Sequence, residues 1–167
     1  ADGKLKTIYL LGADEMDMSG LGETFIIYQG HHGDRGAHRA DVILPGAAYT
    51  EKSGHYVNTE GRVQRGSPAT QPPGDAREDW SIIRALSEVL GVTLEYDNIS
   101  ELRRRMIDYV PHFAKLNVVE KSVWGKFGEF EEMDLNGGIF KSSIQDYYMT
   151  DSISRTSEIM AECSRRF

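Results

Sequence analysis

Four side chains able to bind a metal ion, His31, His32, Asp34 and His38, crowd into one short stretch with Gly30, Gly33 and Gly36. Imidazole and carboxylate groups are competent ligands for zinc and its neighbours. Adjacent histidines seldom point the same way, however, and a catalytic metal needs a supporting shell and an open position. The favoured reading is therefore a polar loop that hydrogen-bonds or meets a partner. Glu51 and Glu60 could be sought as an acid–base pair and Cys163 as a nucleophile, but the pattern supplies no base and orienting group around either. Cys163 falls on an amphipathic pattern and reads as a small packed hydrophobe. Arg103, Arg104 and Arg105 read as a solvated helix face, with partner contact as the alternative. No residue is assigned as catalytic, cofactor-binding or metal-ligating.

The elements that must position these residues follow from the apolar runs. Phe25–Tyr28 and Val42–Leu44 are short β-branched and aromatic runs stopped by Gln29-Gly30 and Pro45-Gly46, and Thr7–Leu11 is a third. None alternates cleanly, which suits parallel strands covered on both faces. The histidine loop then lies at the carboxyl end of a strand, the edge where open α/β sheets bind ligands. Only a stub of helix fits between the first two strands, so the pattern is a worn-down βαβ unit. Residues 48–64 read as a polar hairpin broken at Gly54 and Gly61.

Arg65–Gly74, with three of the five prolines, reads as a linker. Asp75 and Glu78 have the spacing of a capping box opening a helix with Trp80, Ile83, Leu86 and Leu90 on one face and Gly91 as its left-handed stop. Ser100 is expected to cap a second helix, Glu101–Val110, with Leu102, Met106 and Tyr109 inward, ended by Pro111. From His112 to Gln145 periodicity fades around Trp124, Phe127, Phe130 and Phe140, predicting an irregular arm that lies across the domain or a neighbouring subunit. A last helix is expected over Ser154–Arg166, with Ile153, Ser157, Met160 and Ser164 on one stripe and Arg165-Arg166 at the negative end of its dipole.

Of 167 residues 40% are hydrophobic, enough for one domain, or one domain and a tail, able to bury roughly 70% of its unfolded surface if self-contained. The formal charge of −7 gives no basic footprint for nucleic acid or anionic lipid. No apolar run approaches the ~20 residues that cross a bilayer, so a direct membrane span is not expected. One cysteine cannot supply a disulfide framework, nor the roughly four thiolates of an iron–sulfur cluster. It fits a reducing compartment. The numbered chain opens on Ala1-Asp2-Gly3 without an initiator methionine or leader, as a chain with a removed targeting segment would. Three short strands with one or two helices cannot cover both sheet faces, which suggests a piece that docks onto a larger body.

A family resemblance sharpens this. ADVILPGAAYTEKSGHYVNTEGRVQ, Ala40–Gln64, resembles the molybdopterin oxidoreductases, in which such a strand precedes a Glu-x-x-Gly-x-x-x-Asn-x-Glu-Gly-Arg segment. FIIYQGHHGDRGA (Phe25–Ala37), AREDWSIIRALSEVLG (Ala76–Gly91) and DYYMTDSISRTSEIMAEC (Asp146–Cys163) look like the carboxyl-terminal part of the large, 75 kDa iron–sulfur subunit of respiratory complex I. The fold so implied is α/β: an incomplete molybdopterin-oxidoreductase-like fragment with short parallel strands, flanking helices and an irregular C-terminal arm. Residues 1–91 would be the α/β piece and 92–167 a helical and irregular extension.

The resemblance also implies a function. The chain would be a structural part of the peripheral arm of NADH:ubiquinone oxidoreductase on the matrix side of the mitochondrial inner membrane, supporting NADH-to-ubiquinone electron transfer. It would not be an enzyme alone. FMN and the iron–sulfur clusters would sit on other parts of the complex, with none in this chain. Its partners would be the N-terminal iron–sulfur part of the same subunit and other peripheral-arm subunits, and it would fold poorly alone. The alternative is a molybdopterin dinucleotide-binding fragment of an active oxidoreductase, with the Gln29–His38 loop and the Glu51–Arg62 segment beside the pterin and Arg62 on its pyrophosphate. Against that role for the segment stands a plainer one, in which Asn58, Glu60 and Arg62 fix a hairpin. A third reading, a small binding domain built on the histidine loop, requires a metal.

Overall fold

In the computed structural model, which describes residues 5–13, 17–33, 35–121 and 137–167, Thr7–Leu11 (β1), Phe25–Gly30 (β2) and Val42–Pro45 (β3) form a parallel sheet in that order. The register aligns Tyr9, Ile27 and Val42 in one row and Leu10, Tyr28 and Ile43 in the next. Side chains alternate across a sheet, so Ile8, Leu10, Ile26, Tyr28 and Ile43 share one face, where Ile43 on the edge strand is still 54% exposed, while Tyr9, Leu11, Phe25, Ile27, Gln29, Val42 and Leu44 share the other.

The first face carries the core. Leu10, Ile26 and Tyr28 are buried against Leu21, from a 3-10 turn at Ser19–Leu21, and Ala37, from a short helix at Arg35–Arg39 (α1). Met18 and Ala40 complete the cover. Both strand connections thus pack on one side, as same-handed crossovers in a 1-2-3 order must. The other face keeps little cover: Leu11 is 52% exposed, Phe25 44% and Val42 38%. Among the described residues, two-sided burial, expected from the apolar runs, is complete at Gln29 and partial at Tyr9, Ile27 and Leu44, because both strand connections lie on the first face.

Gly54–Val57 (β4) and Val63–Gly66 (β5) form the antiparallel hairpin. Its second strand runs two residues into the stretch read as linker, pairing Arg65 with His55 and Gly66 with Gly54. Gly61 takes φ +80 in the turn, a left-handed conformation that glycine enters without strain.

The next helix, Asp79–Val89 (α2), ends on Gly91 with φ +76 as predicted, and the Val92 N–H closes onto the Ser87 carbonyl at 3.1 Å. Its start corrects the sequence reading. Glu78 is the N-cap residue, without a side-chain cap, and Asp75 lies outside the helix. Arg77 forms a parallel bridge to Gly46, which keeps the chain extended up to the cap. The following helix, Ile99–Tyr109 (α3), is capped by Asn98 rather than Ser100: the Asn98 side-chain carbonyl accepts from the Ser100 and Glu101 N–H groups at 3.1 and 3.0 Å. Tyr109, expected inward, is 84% exposed. Arg103, expected on the solvated side, is half-buried.

The chain divides into compact units Ala1–Val119 and Glu120–Phe167, so residues 92–119 group with the sheet unit. Trp124, Phe127 and Phe130 of the arm lie outside the described residues. In the second unit a 3-10 turn at Tyr147–Met149 precedes Ser152–Thr156 (α4) and Glu158–Arg166 (α5). The single final helix expected from periodicity is two, because Ser157 turns extended and caps α5 through the Met160 N–H, while Asp151 caps α4. Arg165 and Arg166 do occupy the last turn. No residue of 137–167 is buried.

Candidate functional site

A chain of polar contacts gathers at the carboxyl edge of the sheet. The Tyr9 hydroxyl donates to Gln29 Oε1, and Gln29 Nε2 donates to Asp79 Oδ1 at 2.8 Å. Lys52 Nζ pairs with the other Asp79 oxygen. Gln29 is fully buried, so both ends of its amide need these partners. Each group arrives by a separate route. Tyr9 and Gln29 lie on neighbouring strands, Lys52 follows the turn closed by Glu51 on the Ala48 N–H at 2.9 Å, and Asp79 is delivered by the Arg77–Gly46 bridge into the first turn of α2. An acid is favoured there by the helix dipole. A Cβ on Gly46 would stand 3.0 Å from Asp79 Oδ1, so glycine permits the approach. Burial, then the nearby Asp79 charge, pushes the Tyr9 hydroxyl pKa above its ordinary value.

The histidine loop flanks this network. His31 Nδ1 and His32 Nδ1 lie 2.7 Å apart with edge-on rings, one N–H donating to the other's lone pair. Tyr28 holds the loop by donating to the His32 carbonyl at 2.8 Å. Partial desolvation, then the cationic side of His32 and Lys52, lowers the His31 pKa against the opposing pull of Asp79 and Glu51. His38 lines a different recess, with Asp17, Met18 and Arg39, and Asp34 lies outside the described residues. Among the described residues no group of three or more His, Cys, Asp or Glu is placed to hold a metal ion.

The Glu51–Arg62 segment is committed to the protein. Asn58 Oδ1 accepts from the Glu60 and Arg62 N–H groups at 3.1 and 3.0 Å, and Arg62 pairs with Glu60 at 3.2 Å while donating to the Asn117 carbonyl at 3.1 Å. Glu51 and Glu60 thus serve separate local partners. A molybdopterin dinucleotide does not fit these residues. Arg62 is already bonded on both terminal nitrogens, and a Cβ at Gly30 would strike the Tyr28 ring, so the chain's own side chain fills the space that a glycine loop leaves open. Cys163, half-buried on α5, is a free thiol.

Sequence reasoning missed Tyr9, Gln29, Lys52 and Asp79 as a group. Two signals were present: a polar residue closing an apolar strand at Gln29, and a second acid beside Glu78 at a helix start. Arg103 was also misplaced, although Ile99 and Met106 lie four residues before and three after it, on the same helix face.

Comparison with known proteins agrees with this architecture. Residues 1–89 match the molybdopterin oxidoreductase family, and residues 119–163 match a family formed by the carboxyl-terminal region of an NADH-ubiquinone oxidoreductase subunit. The chain is 48% identical over 98% of its length to the mitochondrial NADH-ubiquinone oxidoreductase 78 kDa subunit of Neurospora crassa. It is 52% identical over 94% to the 75 kDa subunit of Reclinomonas americana, and 50% over 98% to the mitochondrial 78 kDa subunit of Candida albicans. It spans 23%, 23% and 24% of those proteins, about a quarter of each. With its parallel strands, its hairpin segment and a match over residues 1–89, the chain belongs to the molybdopterin oxidoreductase family, on the branch of the large NADH-ubiquinone oxidoreductase subunits.

Proposed function

We propose that this chain is a structural part of the large subunit of NADH:ubiquinone oxidoreductase, on the matrix side of the mitochondrial inner membrane. It supports electron transfer in the peripheral arm without holding a redox centre and is not an enzyme alone. Its partners are the iron–sulfur part of the same subunit and neighbouring arm subunits. The relatives named above, two of them described as mitochondrial, support the setting. A single cysteine, against the roughly four thiolates of a cluster, supports the absence of a cluster within the chain. Among the described residues no helix is long and apolar enough to cross a membrane.

The observation that carries the structural role is the unroofed sheet face. A parallel sheet is stable when both faces are covered, and here Leu11, Phe25 and Val42 offer an apolar surface that the described residues leave open. Replacing Phe25 and Val42 by aspartate in the native assembly tests the proposal. The expected result is loss of the chain from the purified complex and a parallel fall in NADH:ubiquinone activity. Retention of both at wild-type level would overturn it.

A further inference from the structure

The strand β1 leaves half of its backbone hydrogen-bonding groups unused. In a parallel pair, alternate residues of a strand turn both N–H and C=O toward the same neighbour. The Lys6 carbonyl accepts from the Phe25 N–H at 3.0 Å, and the Gly12 N–H donates to the Gln29 carbonyl at 2.7 Å. With Thr7 opposite Phe25 and Leu11 opposite Gln29, this phase turns the backbone of Lys6, Ile8, Leu10 and Gly12 toward β2. The N–H and C=O groups of Thr7, Tyr9 and Leu11 therefore point away from β2, out of the sheet. Among the described residues no strand pairs with them. The opposite edge, β3, is already extended by the Gly46–Arg77 bridge.

An open edge is a template for a further strand, and exposed edges are usually blunted by charge, proline or a bulge. Thr7–Leu11, TIYLL, carries no charge and no proline and pairs with β2 in unbroken register. Connectivity tells what would extend it. The three strands are parallel, and both of their connections pack on the first face. Parallel strands are joined by crossovers of one chain, right-handed almost without exception. A right-handed crossover that steps outward from β1, against the 1-2-3 direction, must lie on the opposite face. That is the open face, where Leu11 is 52% exposed. The relatives named above carry about three quarters of their length beyond the part that this chain spans, ample for such a unit.

We propose that the outer edge of β1 takes a parallel strand from a βαβ unit elsewhere in the same large subunit, and that the crossover helix of that unit packs on the open face beside Leu11. The added strand bonds the backbone of Thr7, Tyr9 and Leu11, and the helix supplies the second layer that a parallel sheet needs. This inference rests on the chain being a structural part of the large subunit. It names the cover as that subunit's own polypeptide, not a neighbouring subunit or a second copy.

The test is made in the purified native assembly. Hydrogen exchange at single-residue resolution compares the outward amides of Thr7, Tyr9 and Leu11 with those of Ile8 and Leu10, which β2 holds. The two sets should exchange within about tenfold of each other, because a ladder bond must open in either case. A diazirine amino acid placed at Thr7 then identifies the occupant, with the cross-link expected on another segment of the large subunit. Outward amides that exchange about a hundredfold or more faster than Ile8 and Leu10, or a cross-link to a different subunit, to a second copy or to none, would overturn the proposal. Its failure is distinct from failure of the structural role, which is read from retention of the Phe25, Val42 double aspartate variant.

Discussion

The two faces of the parallel sheet are built from the same kinds of residue and are covered unequally, most plainly on the central strand β2. Ile26 is fully sealed under Leu21 and Ala37, whereas its neighbour in sequence, Phe25, is 44% exposed. Intrinsic preference does not separate them, because Phe and Ile are both strand formers that favour burial. What separates them is connectivity: both crossovers pack on one side, so the other side awaits cover from outside the three strands.

Breaking each face in turn gives the largest contrast. Ile26→Ala should destabilise the chain by about 2–5 kcal/mol, the usual cost of such a truncation in a packed core. Phe25→Ala should cost the free chain well under that, yet weaken its retention in the assembly. Denaturant titration of the polypeptide and pull-down from the complex separate the two effects. Equal destabilisation of the free chain by both would erase the distinction between faces.

Among the described residues, the open face is roofed most fully at the Tyr9–Gln29–Asp79–Lys52 network. Asp79→Ala strands the buried Gln29 amide and the Lys52 ammonium, so a loss of about 1–3 kcal/mol is expected in the same titration. Gly46→Ala should act in the same direction, because the added methyl crowds Asp79 Oδ1 at 3.0 Å. If Asp79→Ala is neutral, the network does not hold α2 to the sheet.

Acid should loosen this edge further. His31 and His55 both titrate below their ordinary 6.5 in the fold, so the unfolded chain takes up their protons first. Their contribution is present above pH ~6.5 and is lost as pH falls through the lower folded values. Thermal melts from pH 7.5 to about 5 should show a falling Tm, with a shallower slope in a His31→Gln, His55→Gln double variant. An identical slope would remove these two groups as its cause.

The smallest effect concerns a local signal. Asn98→Ala should cost about 1 kcal/mol and Ser100→Ala a few tenths. Either side chain is a competent cap, and the sequence pattern favours Ser100; the backbone at Asn98, extended at φ −149, decides between them. Equal costs for the two variants in the denaturant titration would contradict this assignment.

The same contrast explains what was legible in the sequence. Strands and their direction were readable because Thr7–Leu11, Phe25–Tyr28 and Val42–Leu44 are local runs with clear stops. The hairpin at Asn58–Arg62 was readable because its bonds join near neighbours. Asp79 reaching Gln29 was not, since that contact spans fifty residues and depends on the Arg77–Gly46 bridge. The break at Ser157 was missed because a serine within an amphipathic stripe reads as helix interior until its backbone turns extended.

The central claim is that the open face is covered by other protein in the working complex. Hydroxyl-radical footprinting of Leu11, Phe25 and Val42 in the intact assembly and in the free chain tests it most directly. The account predicts strong protection of all three side chains in the assembly and ready oxidation in the free chain. Equal oxidation in both states would contradict it.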